Sequence, residues 1–217
     1  VALMAADLDF FFDPVCPWAW ITSRWVVNVS EQRDYEIEWR FISLWMLNEH
    51  NTREWYTPQY RAGHYLGHQG LRIGDAIRLG EDDPTAVGRW YTAIGEALHV
   101  GAQREAARGD AVSWYRGLLV GAGLDEGYLD AADDESHDQY IRADTELALS
   151  RTGRDVGTPI LTFHPGTDDE ASFFGPVISK APRGAEAVEL WDAVEKLATM
   201  SGMAEIKRSN RIAPDFT

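Results

Sequence analysis

Two prolines, Pro14 and Pro17, punctuate the start of the chain and limit what it can become. Ahead of them, Leu8 to Asp13 reads as a strand with Leu8, Phe10 and Phe12 on one face. Pro14 ends it, because a proline offers the ladder no N–H. Behind Pro17, Trp18, Ile21, Trp25, Val26 and Val29 recur at helical spacing. A proline costs nothing in a first helical turn, where that N–H has no intrahelical partner. The spacing predicts a helix from Pro17 to about Arg33. Tyr35, Ile37, Trp39 and Phe41 then alternate with Glu36, Glu38 and Arg40, the period of a half-buried strand.

Between residues 52 and 151 strand alternation gives way to Ala, Leu, Glu and Arg at helical spacing. Trp90–Leu98, Ala111–Val120 and Gln139–Leu149 are examples. Glycine and proline punctuation at Gly80, Pro84, Gly101, Gly109 and Gly121–Gly127 divides the stretch into about four to six helices. Strands return at Ile160–Phe163 and Ser172–Val177, joined by a loop of Pro, Gly and Asp. An amphipathic helix follows over Gly184 to Met200, with Val188, Trp191, Val194 and Leu197 inward. The expected fold class is α/β: a thioredoxin-like fold with an inserted all-helical subdomain. Residues 1–51 and 152–217 make the thioredoxin-like domain and residues 52–151 the insertion. So abrupt a change between strand-rich flanks favours insertion over a second domain in series.

The chain has 217 residues, 45% of them hydrophobic, enough for one sizeable core. Its net charge of −15 argues against nucleic acid or an anionic membrane as partner, since phosphates would be repelled. A single cysteine excludes an intrachain disulfide and any cysteine-rich zinc site. No apolar run approaches the roughly 18 residues of a membrane span, and no basic leader precedes an apolar stretch. A cytoplasmic protein is the expectation, and the aromatic-rich composition permits a homodimer.

The one sulfur stands in Phe12-Asp-Pro-Val-Cys16-Pro-Trp-Ala-Trp20, between a strand and the start of a helix. Unpaired N–H groups and the positive dipole end stabilise an anion there, and thiolates so placed ionise well below the usual thiol range. The alternative is a buried cysteine acting as a small hydrophobe. Thr158-Pro159 precedes the third strand, where a cis bond would turn the chain sharply. Trp18 and Trp20 should divide, one lining the site and one packing. Asn48 and Tyr60 follow the second strand and either hydrogen-bond a thiol or substrate, or serve for capping and packing. His64 and His68, four apart, share a helix face, but with no third ligand in a motif they read as a solvated face and not a metal site. Asp130–Asp138 likewise reads as a solvated helix surface, and Gly121, Gly123 and Gly127 lack dinucleotide-binding spacing.

Several of these stretches together resemble the DsbA-like thioredoxin-fold proteins, and most closely their mycothiol-dependent, nitroreductase-type branch. They are Phe12–Trp20, Ile21-Thr-Ser-Arg-Trp25, Val156-Gly-Thr-Pro159, and Phe173-Phe-Gly-Pro-Val177 on to Gly184. Leu47-Asn48-Glu49 and Pro58-Gln-Tyr-Arg61 match in between, so the resemblance is nearly full length. It implies a thiol-dependent oxidoreductase with no tightly bound cofactor. Its co-substrate is a low-molecular-weight thiol, mycothiol or glutathione, and its partner an oxidised substrate. In the family pattern the first cysteine is the nucleophile and matches Cys16, within the motif Cys16-Pro17-Trp18-Ala19. The cis-proline matches Pro159. Thr158, Pro159, Asn48, Tyr60 and Trp20 are the implied thiol- or substrate-binding residues.

The chain departs from that pattern at Ala19, where the family has its second cysteine. No sulfur in the same chain can then attack a mixed disulfide on Cys16, so an external thiol must resolve it. Two rival readings share the architecture. One is a kappa-type glutathione transferase or isomerase, which activates a bound thiol with a hydroxyl at the Cys16 position. The other is a redox-silent binding protein.

Overall fold

The structure, a computed structural model, describes residues 6–217. Its sheet contains β1 (Leu8–Phe12), β2 (Ile37–Phe41), β3 (Ile160–Phe163) and β4 (Ala171–Phe174), in the order β2-β1-β3-β4. β3 runs antiparallel to both its neighbours, and its register sets Leu8 opposite Phe163 and Phe10 opposite Leu161. Directly opposed residues share a face, so Leu8, Phe10, Leu161 and Phe163 form one apolar surface. Trp191 of α8 (Ala185–Ala198) covers it, its ring 5.2 Å from Phe163, 5.5 Å from Trp25 of α1 (Pro17–Ser30) and 4.7 Å from Tyr35. Trp25 also donates its indole N–H to the Ala187 carbonyl at 2.8 Å, which fixes α1 against α8.

The opposite face carries Asp9, Phe11 and Thr162. Arg151 reaches Asp9 Oδ2 at 2.7 Å and Thr162 Oγ1 at 3.2 Å, with its guanidinium 5.9 Å from the Phe11 ring. Phe11 is therefore as fully buried as Phe10, and every residue of β1 is buried. On β2 the alternation survives in the burial: Glu36 and Glu38 are exposed while Phe41 is buried. α1 stops at Ser30, short of the expected Arg33, because the N–H groups of Gln32 and Arg33 turn back together onto the Val29 carbonyl. β4 stops at Phe174, short of Val177, since Gly175 takes a φ of 102° and Pro176 has no N–H.

By contacts the chain divides into two units. Among the described residues the first comprises residues 6–12, Pro17–Arg40 and Ala148–Thr217; the second comprises Asp13–Cys16 and Phe41–Leu147. The short Cys16 segment thus belongs with the helices and not with the strand it follows.

The second unit contains α2 (Leu44–Leu47), α3 (Pro58–Gly80), α4 (Ala86–Gly95), α5 (Arg104–Gly109) and α6 (Ala111–Gly121). α4 runs on into a π-helical turn, Glu96–Val100. Short 3-10 turns, Glu126–Asp133 and Glu135–His137, lead into α7 (Asp138–Thr152). The long helix α3 starts at Pro58 with Thr57 as its cap, the Thr57 hydroxyl accepting the Tyr60 N–H. Its large buried apolar side chains are only Leu66, Leu71, Ile73 and Ile77. Gly67, Gly70 and Gly74 recur on one side, and an added Cβ there would lie 3.1 Å from the Val15 methyls, 3.1 Å from Ile94 and 3.3 Å from Phe41 respectively. Small residues let neighbours approach this helix closely, and Trp90 donates its indole N–H to the Gly70 carbonyl at 2.8 Å.

One expectation fails here and a second holds only in part. His68 is not on a solvated face: it is fully buried, with Nδ1 3.1 Å from Ser43 Oγ and Nε2 3.0 Å from Asp138 Oδ1. In Asp130–Asp138 the acidic residues Asp130, Asp133, Asp134 and Glu135 are exposed, as expected, but the stretch is not a regular helix. It is largely 3-10 turn, and Asp138 receives two hydrogen bonds from the buried Arg72, at 2.6 and 2.8 Å. Charges taken out of water need such partners, which is what folds this acidic stretch onto α3. Among the described residues no group of three or more His, Cys, Asp or Glu could hold a metal, and no helix is long and apolar enough to cross a membrane.

Candidate functional site

Cys16 carries its thiol in no disulfide, is 7% exposed, and directly precedes Pro17, the first residue of α1. Its N–H donates to the Asp13 carbonyl at 3.1 Å, closing a turn over Asp13–Cys16. The Asp13 side chain pins this turn. Oδ1 accepts the Val15 N–H at 3.0 Å and Oδ2 accepts the Leu44 N–H at 2.7 Å. Asp13 is wholly buried, and that burial pushes its carboxyl up to about 7, against the pull of the two backbone N–H groups. Gly67 makes room for it: a Cβ at that position would sit 2.6 Å from Asp13 Oδ1.

The other side of the turn is held by His99 and Arg104. His99, on the π-helical turn, lies with Nε2 3.0 Å from the Pro14 carbonyl and Nδ1 3.2 Å from Arg104 Nη2. A carbonyl only accepts and a guanidinium only donates, so Nε2 bears the proton and Nδ1 is the acceptor. Burial pushes His99 down to about 4, with the Pro14 carbonyl opposing and the Arg104 charge adding, so this neutral tautomer is the one present at neutral pH. Arg104 Nη2 also makes a long contact, 3.5 Å, to the Val15 carbonyl. Burial lowers Arg104 first and Arg108 lowers it further, whereas Cys16 and Tyr60 act to keep it charged. The Arg104 guanidinium therefore interacts electrostatically with both the Cys16 thiol and the Tyr60 phenol.

Of the residues expected at the site, Cys16, Asn48 and Tyr60 fall in the helical unit. Tyr60 is 57% exposed, its ring beside Trp55 and His64. Asn48 Nδ2 donates to the Leu44 carbonyl at 2.9 Å and its Oδ1 accepts from Asn51 at 2.8 Å. Pro17, Trp18, Ala19, Trp20, Thr158 and Pro159 fall in the sheet unit. Ala19 is completely buried. Trp20 is 2% exposed, with the Arg24 guanidinium stacked 4.2 Å from its ring centre. Trp18 is half-buried, with Arg211 of the C-terminal tail 5.6 Å from its ring. The Thr158–Pro159 peptide is cis; Thr158 Oγ1 donates to the Phe11 carbonyl at 3.0 Å, and the Pro159 carbonyl accepts the Gly175 N–H at 2.9 Å.

Sequence reasoning missed Asp13, Gly67, His99 and Arg104. Asp13 stood in the motif itself, three residues before Cys16, and a carboxylate so close to a sulfur is a legible signal. His99 lies 85 residues from Pro14 and Arg104 lies 89 residues from Val15, and no local pattern links them.

Solved structures share this fold. A putative protein disulfide isomerase from Nitrosomonas europaea superposes with a TM-score of 0.55 at 20% identity, covering 87% of this chain and 97% of that one. DsbA of Proteus mirabilis, in complex with a non-covalently bound peptide, superposes with a TM-score of 0.51 at 13% identity, covering 92% of each chain. The fold is thus the DsbA-like thioredoxin fold with its helical insertion. The uncharacterized protein Rv2286c of Mycobacterium tuberculosis is 34% identical over 202 residues, 93% of this chain and 81% of that protein. The profile of the Rv2466c-like family, described as mycothiol-dependent nitroreductase Rv2466c, matches residues 15–208, from Val15 beside the thiol to Arg208 in the C-terminal tail, and the chain belongs to that family.

Proposed function

We propose that the chain is a thiol-dependent oxidoreductase whose single nucleophile, Cys16, is resolved by an external low-molecular-weight thiol such as mycothiol. The observation that carries this reading is the pairing of Cys16 with Ala19. The thiol directly precedes a helix, where an anion is stabilised, and the position three residues on holds a completely buried methyl group instead of a second sulfur. An oxidised Cys16 then has one way back to the thiol. As a sulfenic acid it condenses with one external thiol to a mixed disulfide, releasing water, and a second thiol attacks that disulfide and releases Cys16. Two thiols become one disulfide, and the two electrons and two protons they surrender reduce the acceptor. The family's description supplies both the thiol, mycothiol, and an acceptor class, nitro compounds. With Cys16 only 7% exposed, small molecules are favoured over a folded protein disulfide.

Mass spectrometry tests the reading directly. Oxidised protein incubated with mycothiol should carry one mycothiol on Cys16, and a second equivalent should remove it. No adduct on Cys16 would favour the redox-silent alternative. Thiol-conjugating activity that survives Cys16→Ser would favour the kappa-type alternative, in which a hydroxyl at that position suffices.

A further inference from the structure

We propose that Arg104 is the charge partner of the Cys16 thiolate and that neutral His99 is the positioning residue that holds it there. This deepens the reading of Cys16 as nucleophile and rests on it. Arg104 opens α5 and is half-buried. Among the described residues no carboxylate forms an ion pair with it, although the chain carries 35 acidic residues against 20 basic ones. Its neighbour Arg108, by contrast, is paired with Glu105 at 2.8 Å. The contacts of Arg104 Nη2 are instead the Val15 carbonyl, one peptide before Cys16, and His99 Nδ1. Both accept hydrogen bonds and neither cancels the positive charge. A guanidinium stays protonated even where burial opposes it, so the group held beside the Val15 carbonyl, one peptide from Cys16, is a permanent cation.

His99 sets the position of that cation. Its Nε2–H grips the Pro14 carbonyl and its Nδ1 receives Arg104, so one imidazole measures the spacing between the Cys16 turn and the guanidinium. Only a neutral ring can do both, because a protonated one would present two donors. The other charged or titratable groups facing the turn are few. Asp13, on the same turn, opposes a thiolate when ionised. Tyr60 of α3 brings a phenol near Arg104, and Arg108 of α5 adds a positive charge that Glu105 offsets. Arg104 is thus the cation placed to favour a thiolate on this turn.

The test is the pH dependence of Cys16 alkylation by iodoacetamide, a neutral probe, in wild type, Arg104→Lys, Arg104→Met and His99→Gln. An opposite charge within about 4–6 Å favours the ionised form by about one pH unit or more, so a charge partner removed in Arg104→Met should leave Cys16 alkylating about tenfold more slowly at about pH 6, with its midpoint moved upward. Arg104→Lys should keep most of the rate, and His99→Gln should fall between. A midpoint in Arg104→Met equal to wild type, with the far-UV spectrum unchanged, would overturn the proposal and leave Arg104 a structural brace. Should Arg104→Met fail to fold, wild type alone still decides. Native protein should prefer anionic iodoacetate over iodoacetamide more than the urea-unfolded chain does, and equal preference would overturn the proposal. None of these measurements involves mycothiol, so a missing mycothiol adduct would sink the proposed function without touching this result.

Discussion

Asp13 makes the stability of the protein fall with rising pH across a window where most carboxylates contribute nothing. An ordinary aspartate titrates near 3.8, whereas burial holds the folded-state value of Asp13 at about 7. The native state therefore keeps a proton that the unfolded chain has already released, and linkage requires stability to decline as pH rises from about 4 to about 7. This is the reverse of the usual salt-bridged aspartate. At ~1.36 kcal/mol per pH unit, the displacement from 3.8 to about 7 is worth about 4 kcal/mol, fully lost above neutrality. Asp13→Asn isolates this effect. The amide is neutral at every pH and can accept only one of the Val15 and Leu44 N–H bonds, which costs about 1–3 kcal/mol throughout. Urea unfolding followed by tryptophan fluorescence at a series of pH values gives the difference between wild type and variant, and groups common to both cancel. Wild type should be equal or more stable near pH 4, and the variant should gain about 4 kcal/mol on it by about pH 8. A difference that stays flat within about 1 kcal/mol would refute the reasoning, as would one that grows in favour of wild type.

Ala19→Cys should restore an intramolecular resolving step: the oxidised variant should weigh two hydrogens less and no mycothiol adduct should accumulate, whereas a persistent adduct would show that position 19 cannot reach Cys16. Gly67→Ala should cost about 1–3 kcal/mol in chemical denaturation, because its Cβ would lie 2.6 Å from Asp13 Oδ1 and 3.1 Å from both Val15 methyls. The same variant should alter the alkylation rate of Cys16, since the turn must shift to admit the methyl. Trp191→Ala should cost about 3–5 kcal/mol, as the ring is fully buried among Trp25, Tyr35 and Phe163, and thermal unfolding would reveal it.

What the sequence by itself determined is the local backbone. Alternation along Tyr35–Phe41 predicts β2, because one side of that strand stays wet at Glu36 and Glu38. Pro17 marks the first residue of α1, because a proline fits only the turn whose N–H has no partner. Ala19 removes the second sulfur, whatever surrounds it. The same reasoning misplaced His68 and Asp138, since polar residues at helical spacing look solvated whether they face water or one another. It also gave no sign of α3 as the helix on which the Cys16 turn rests, because glycines that admit close neighbours carry no apolar side chain. Only the tertiary structure decided that Asp13 is buried, that Gly67 makes room for it, and that His99 and Arg104 close on Pro14 and Val15 from more than eighty residues away. Periodicity records which way a side chain points from its own backbone. The electrostatics of a thiol depend on which distant charges that backbone meets, and packing alone sets those.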